Sequence, residues 1–196
     1  MEPILELDKK LFLAINGHHS PWLDQLMMFF STTTAWIPLY ILLLYLIIRS
    51  FGRDSWMVLI AIALTIALAD QITSSLMKPY FARLRPSHEP GIEGLVHIVN
   101  QYRGGRFGFA SSHGANTFGI AALMWLLLKR YRPWIALLFL WAFFVGYTRI
   151  YLGVHYPGDI LVGGLVGFLC ALAVYLILNL LRNYLDRRRA LSSGSQ

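Results

Sequence analysis

Apolar residues run along this chain in long blocks separated by short polar interruptions. A helix needs about 20 mostly apolar residues to cross the hydrocarbon of a bilayer. Five blocks meet or approach that length: 32–48, 56–77, 112–128, 133–150 and 157–181. The sequence therefore predicts an all-α, polytopic transmembrane helix bundle with five spans. Residues 1–31 read differently. Ile4, Leu7, Leu11 and Ile15 recur near helical spacing, with Asp8, Lys9 and Lys10 between them. That pattern suits a helix lying in the headgroup region, or else a sixth helix of the bundle. Ser20-Pro21 opens a second short helix, with Trp22 and Asp24 in its first turn. Glu2, Glu6 and Asp8 argue against a cleavable signal peptide.

Composition sets the solvent. Hydrophobic residues make up 57% of the chain and charged residues 14%, which is too greasy for an ordinary soluble domain. No repeat or linker divides residues 1–190, so they are expected to form one membrane-embedded domain with a long extracytoplasmic loop at 87–109. Residues 191–196 are expected to be a disordered tail. The single Cys170 can build neither an intrachain disulfide nor a cysteine metal cluster. The tryptophans fall mostly toward block ends, as an interfacial belt would. Gly163, Gly164 and Gly167 permit close helix approach.

Charge adds orientation. With alternating spans, one face receives Arg49, Arg53, Lys129, Arg130, Arg132, Arg182, Arg187, Arg188 and Arg189, nine of the 17 basic residues. The excess of Lys and Arg marks the cytoplasmic side. The C-terminus is then cytoplasmic, and the remaining polar motifs face outward in a bacterial-type inner membrane.

Those motifs carry the chemistry. Lys78, Arg85 and Pro86 close the second block; Ser111, Ser112 and His113 open the third; Thr148 and Arg149 end the fourth; His155 and Asp159 begin the fifth. All fall on one membrane face. Asp159 lies in a first helical turn after Pro157 and can reach back to His155. This assigns His155 as a nucleophile whose tautomer and developing charge are set by Asp159. His113 is suited to act as general acid and then base. Lys78, Arg85, Arg149, Ser111, Ser112 and the amides opening that helix are expected to hold a phosphate, fixed cations taking the part that a metal plays elsewhere. No metal and no cofactor is expected. Arg103 and Arg106 in the loop, with His97, Asn100 and Tyr102, are candidate headgroup contacts. Asp70, inside the second block, is expected to hold neighbouring helices together.

The three segments resemble the signature of the type 2 phosphatidic acid phosphatase family: Lys, six residues, Arg-Pro; Pro-Ser-Gly-His; and Ser-Arg, five residues, His, three residues, Asp. This chain carries Ala110, Ser112 and Thr148 where that pattern has Pro, Gly and Ser. The resemblance covers roughly residues 71–181. It implies a helical membrane enzyme, commonly with six core helices, that hydrolyses lipid phosphates or pyrophosphates through a phosphohistidine without a metal. Undecaprenyl pyrophosphate is the first substrate expectation. Lipid A phosphate, phosphatidylglycerophosphate and phosphatidate follow, and an anion transporter or a vanadate-dependent haloperoxidase is a remote alternative. The expected partners are a lipid phosphate and the bilayer, with no nucleic acid and no obligate protein partner.

Overall fold

Prolines at helix starts and polar turns between the apolar blocks divide the chain into helices. The computed structural model describes residues 2–193, nearly all of them helical or in turns, with no β-strand among the described residues. The α-helices are α1 (Glu2–Asn16), α2 (Pro21–Phe30), α3 (Ile37–Phe51), α4 (Ser55–Asp70), α5 (Lys78–Phe81), α6 (Ser112–Leu128), α7 (Leu137–Tyr151) and α8 (Pro157–Ser193). A π-helical stretch, Gln71–Met77, joins α4 to α5 without a break in the rod. Each of the five apolar blocks becomes a helix.

Three stretches are long and apolar enough to cross a membrane: Thr33–Phe81, Pro133–Tyr151 and Pro157–Leu185. The first has 49 residues; as one straight helix it would be about 74 Å long, more than twice the thickness of a bilayer's hydrocarbon. It folds instead at Gly52, whose φ of +51° is a left-handed conformation open to glycine. Ser55 turns its hydroxyl back onto the carbonyls of Gly52 and Ile47. Leu43, Leu46 and Ile47 of α3 then pack with Val58 of α4 in one buried cluster that α6 and α7 complete. The protein is an integral membrane protein built as a helix bundle.

The closest pairing is between α6 and α8. Gly163 and Gly167 lie one turn apart, and a Cβ at either position would run into a backbone carbonyl of α6, that of Ser111 or Ala115 respectively. Small residues let two backbones meet where lipid provides no hydrophobic drive for association. The same contact brings the start of α6 against the start of α8, with the Ser111 amide donating to the Asp159 carbonyl at 3.0 Å.

The two ends of the chain differ in how they meet expectation. Helix α8 continues through Ser193, so residues 191–193 are helical where a loss of structure was expected; residues 194–196 lie outside the described residues. The N-terminal segment forms the pair α1 and α2, and α1 turns its apolar stripe outward. Asp8, Phe12 and Asn16 are its buried residues, whereas Ile4, Leu7 and Leu11 are exposed. In a membrane protein the apolar stripe can face lipid and the polar one the protein. The tryptophans also divide: Trp22, Trp56 and Trp134 are exposed as a belt requires, but Trp36 packs edge-on against Trp141 inside the bundle.

Gly167→Val should destabilise the fold by at least about 1–3 kcal/mol, because the clash is with backbone and overpacking cannot be relieved by a rotamer change. Thermal unfolding in detergent measures it, with the expected outcome a lower midpoint than wild type.

Candidate active site

The motif residues collect at one end of the bundle, where α5, α6, α7 and α8 begin or stop. A short antiparallel pairing closes the 87–109 loop beside them: Leu84 bridges Phe107, the Arg85 amide donates to the Arg106 carbonyl, and the Gly108 amide donates to the Arg83 carbonyl. This fixes the backbone from which Arg83 and Arg85 project. The loop's other edge is held by α1 and α2. Asn16 binds the His97 amide and carbonyl and the Tyr151 carbonyl. Asp24 accepts from Tyr151 Oη at 2.7 Å and lies 2.9 Å from His97 Nε2. His97, one of the candidate headgroup contacts, is thus tied into the scaffold.

His155 lies in the turn between α7 and α8 and is 1% exposed. Its Nδ1 is 3.2 Å from Asp159 Oδ2, and its Nε2 is 3.2 Å from an Arg85 terminal nitrogen. Asp159 is fully buried. Pro157 starts α8, and the Asp159 carboxylate reaches back to accept from the Tyr156 amide at 3.0 Å, capping the same helix that carries it. Helix capping and orientation of the histidine are therefore one arrangement.

Cations surround the ring. Arg85 is anchored by the carbonyls of Phe107 and Val154, each at 3.1 Å. Arg149, 3% exposed at the end of α7, donates to the Tyr102 hydroxyl at 2.8 Å. Its Nε is buried without a protein partner. Lys78 follows the π-helical stretch and donates to Ser112 Oγ at 2.7 Å and Ser74 Oγ at 3.2 Å. Ser74 in turn donates to Asp70, so Asp70 belongs to a hydrogen-bonded seam joining α4 to α6. Burial, followed by the charges of Arg85, Arg149 and Lys78, holds the His155 pKa well below its ordinary 6.5. The imidazole is neutral at physiological pH.

The remaining candidates divide. Ser111 is fully buried, and its hydroxyl accepts from the Gly114 amide as the N-cap of α6. Ser112 supplies its hydroxyl to Lys78, Ser74 and Thr73. His113, next along, lines a groove of about 510 Å³ between α3, α4, α6 and α7, together with Asp70 and Asn116 and apolar residues such as Leu59 and Ile66. Arg149, Arg85, Lys78 and His155 are all within its electrostatic reach. Arg103 binds the Ser87 carbonyl and faces Glu93. Arg106 is exposed with its guanidinium over the Phe107 ring.

Two charged side chains here escaped the sequence reading. Arg83 donates to Asp159 Oδ1 at 3.0 Å and to Asp8 Oδ2 at 2.8 Å. Asp8 comes from α1, which the sequence pattern assigns to the membrane surface or to a sixth place in the bundle. The only hint was that Arg83 sits two positions before Arg85 on an extended stretch, so both can face one site.

Because His155 is neutral in the fold but takes a proton in the unfolded chain below pH 6.5, unfolding takes up protons there. Stability should then fall as pH drops below 6.5. Thermal midpoints measured between pH 7.5 and 5, numbers on the order of the ordinary histidine range, should decline, and His155→Gln should show a shallower decline.

The geometry agrees with what known proteins show. A family model described as PAP2 superfamily matches residues 58–182. The chain is 43% identical over 170 residues to the lipid A 4'-phosphatase of Bacteroides thetaiotaomicron, covering 85% of this chain and 75% of that one. It is 35% identical to the lipid A 4'-phosphatase of Porphyromonas gingivalis, over 89% of this chain and 74% of that one. Among solved structures it resembles LpxE of Aquifex aeolicus with a TM-score of 0.62 and 30% identity, covering 86% of this chain and 94% of that chain. The family-model match over residues 58–182, with these relatives, makes the chain a member of the PAP2 superfamily and a lipid phosphatase of that type.

Proposed function

We propose that this enzyme removes a phosphate monoester from a lipid A type glycolipid through a phosphohistidine formed on His155. The observation that carries the chemistry is the clamp on that ring. A carboxylate can only accept, so the Asp159 contact puts the proton on Nδ1 and leaves the lone pair on Nε2. Nε2 attacks phosphorus, and the P–O bond to the lipid breaks. His113, which takes up a proton when the negatively charged phosphate enters among the cations, gives that proton to the departing oxygen. Water then attacks the phosphohistidine, His113 takes a proton from it, and phosphate leaves with His155 restored.

Charge gathers on the equatorial oxygens as the phosphoryl group passes between the two partners. Lys78, Arg85 and Arg149 are the fixed cations for it, and the unpartnered Nε of Arg149 is a buried donor ready for an oxygen. Ser112 acts through Lys78, the first amides of α6 add donors, and Ser111 shapes the turn. Arg106 is the exposed cation left for a headgroup. None of these steps needs a metal.

Substrate choice rests on relatives. Two proteins named for lipid A 4'-phosphatase activity, at 43% and 35% identity, favour lipid A over undecaprenyl pyrophosphate, which now comes second. The site is read as extracytoplasmic, with the C-terminus in the cytoplasm, because Arg49, Arg53, Lys129, Arg130 and Arg132 cluster at the end of the bundle away from His155.

A phosphate-release panel of purified protein against lipid A, undecaprenyl pyrophosphate, phosphatidylglycerophosphate and phosphatidate tests the substrate. The expected result is highest kcat/KM on lipid A; a clear preference for the pyrophosphate would reverse the ranking. His155→Ala should abolish turnover, and Asp159→Asn should lower it on the order of 100-fold or more. A chelator should leave the rate unchanged, and loss of activity restored by a divalent ion would defeat the metal-free route.

A further inference from the structure

Asp8 lies 75 residues from Arg83 and 150 from Gly158, yet it binds both. Its Oδ2 accepts from an Arg83 terminal nitrogen at 2.8 Å, and its Oδ1 accepts from the Gly158 amide at 2.8 Å. Gly158 is in the first turn of α8, the turn that carries Asp159. The other terminal nitrogen of Arg83 donates to Asp159 Oδ1 at 3.0 Å, and the guanidinium face lies 4.1 Å from the centre of the Tyr156 ring. The contacts close a ring: Asp8, Arg83, Asp159, the α8 backbone, Gly158 and back to Asp8. Hydrogen bonds hold both ends of the guanidinium and an aromatic ring holds its face.

We propose that Asp8 is a positioning residue for the phosphatase reaction, acting through Arg83 to hold the Asp159 carboxylate and, with it, the His155 ring in attacking register. The proposal rests on the reading of His155 as nucleophile. Asp159 Oδ2 is shared between His155 and the Tyr156 amide, so its Oδ1 is the atom that fixes the carboxylate plane, and Arg83 holds it. A guanidinium bonded only to Asp159 could swing with it; bonded also to Asp8, it cannot. The charges point the same way. Asp8, Arg83 and Asp159 together carry one net negative charge beside a ring that becomes cationic as it bonds to phosphorus, opposite Arg85, Arg149 and Lys78.

Helix α1 has anchors besides Asp8. Phe12 is fully buried and meets the Tyr156 ring edge-on at 5.4 Å, and Asn16 holds the Tyr151 carbonyl at 2.8 Å. The isosteric change Asp8→Asn removes the charge while leaving these anchors in place. The experiment is a double-mutant cycle on the full chain in detergent, with Asp8→Asn, Arg83→Gln and the double variant. It measures kcat and KM for phosphate release from lipid A and from phosphatidate, with thermal midpoints alongside. Lys9→Gln, which breaks the partly exposed Lys9–Glu89 pair on the same helix, is the control and should keep wild-type kcat.

Asp8→Asn is expected to lower kcat about tenfold or more with KM little changed, a coupling of the size seen between groups in one network. The double variant should be no slower than Arg83→Gln alone. Unchanged kcat in Asp8→Asn, additive losses in the double variant, a loss confined to KM, or a loss that tracks a lowered thermal midpoint would each overturn the proposal. His155→Ala separates the two readings. Turnover surviving in that variant removes the nucleophile assignment, whereas a dead His155→Ala with an additive cycle removes only the role of Asp8.

Discussion

A carboxylate stripped of water is tolerated only when its charge is met on every side. Asp159 is fully buried, and three groups meet it: the Arg83 guanidinium, the Tyr156 amide and the His155 ring. Much of the surrounding fold can be understood as supplying those partners. The 83–85 stretch must pair with 106–108 to fix Arg83 and Arg85. The turn after α7 must place His155 four residues ahead of the carboxylate, and α8 must start at Pro157 so that the carboxylate also caps it. Removing one partner would leave a buried charge uncompensated, so the arrangement is held as a unit.

Helix packing sets how well that unit faces its neighbours. The approach of α8 to α6 at Gly163 and Gly167 is close enough for the Ser111 amide to bond the Asp159 carbonyl. A wider spacing would carry His113 and Lys78 away from His155 even with every motif residue intact. The π-helical stretch before Lys78 serves the same end from α4. It shifts the phase of the helix locally, and Ser74, Lys78 and Thr73 all reach the Ser112 hydroxyl. Packing of small residues inside the membrane and placement of cations at its edge are thus one geometric problem.

The bundle was legible because long apolar blocks admit one solution in lipid: helices that satisfy their own backbone. The motif residues were legible because each block ended in groups too polar for the membrane, and the structure gathers Lys78, Arg85, His113, Arg149, His155 and Asp159 at one end. What stayed hidden was the pairing of Asp8 with Arg83. Contacts across 75 residues leave no trace in local spacing. Ile4, Leu7 and Leu11 suited α1 to a lipid interface and are indeed exposed, but nothing in the pattern said that Asp8, Phe12 and Asn16 would turn inward onto the protein. The tie between His97 and Asp24 was hidden for a related reason: a loop histidine offers no sign of a partner on a distant helix.

The groove beside His113 ties the chemistry to the bilayer. Its walls, from α3, α4 and α7, are largely aliphatic and aromatic, and its polar residues at the catalytic end include Asp70, Ser112, His113 and Asn116. An amphiphile set along such a surface would keep its chains in an apolar medium and bring only its phosphate among the cations. Desolvating the chains would cost nothing, since they never leave an apolar phase, and the phosphate would exchange water for fixed donors. On the proposed mechanism, selectivity for lipid phosphates over soluble ones then follows from where the site lies, at the meeting of an apolar wall and a ring of positive charge, before any headgroup contact is counted.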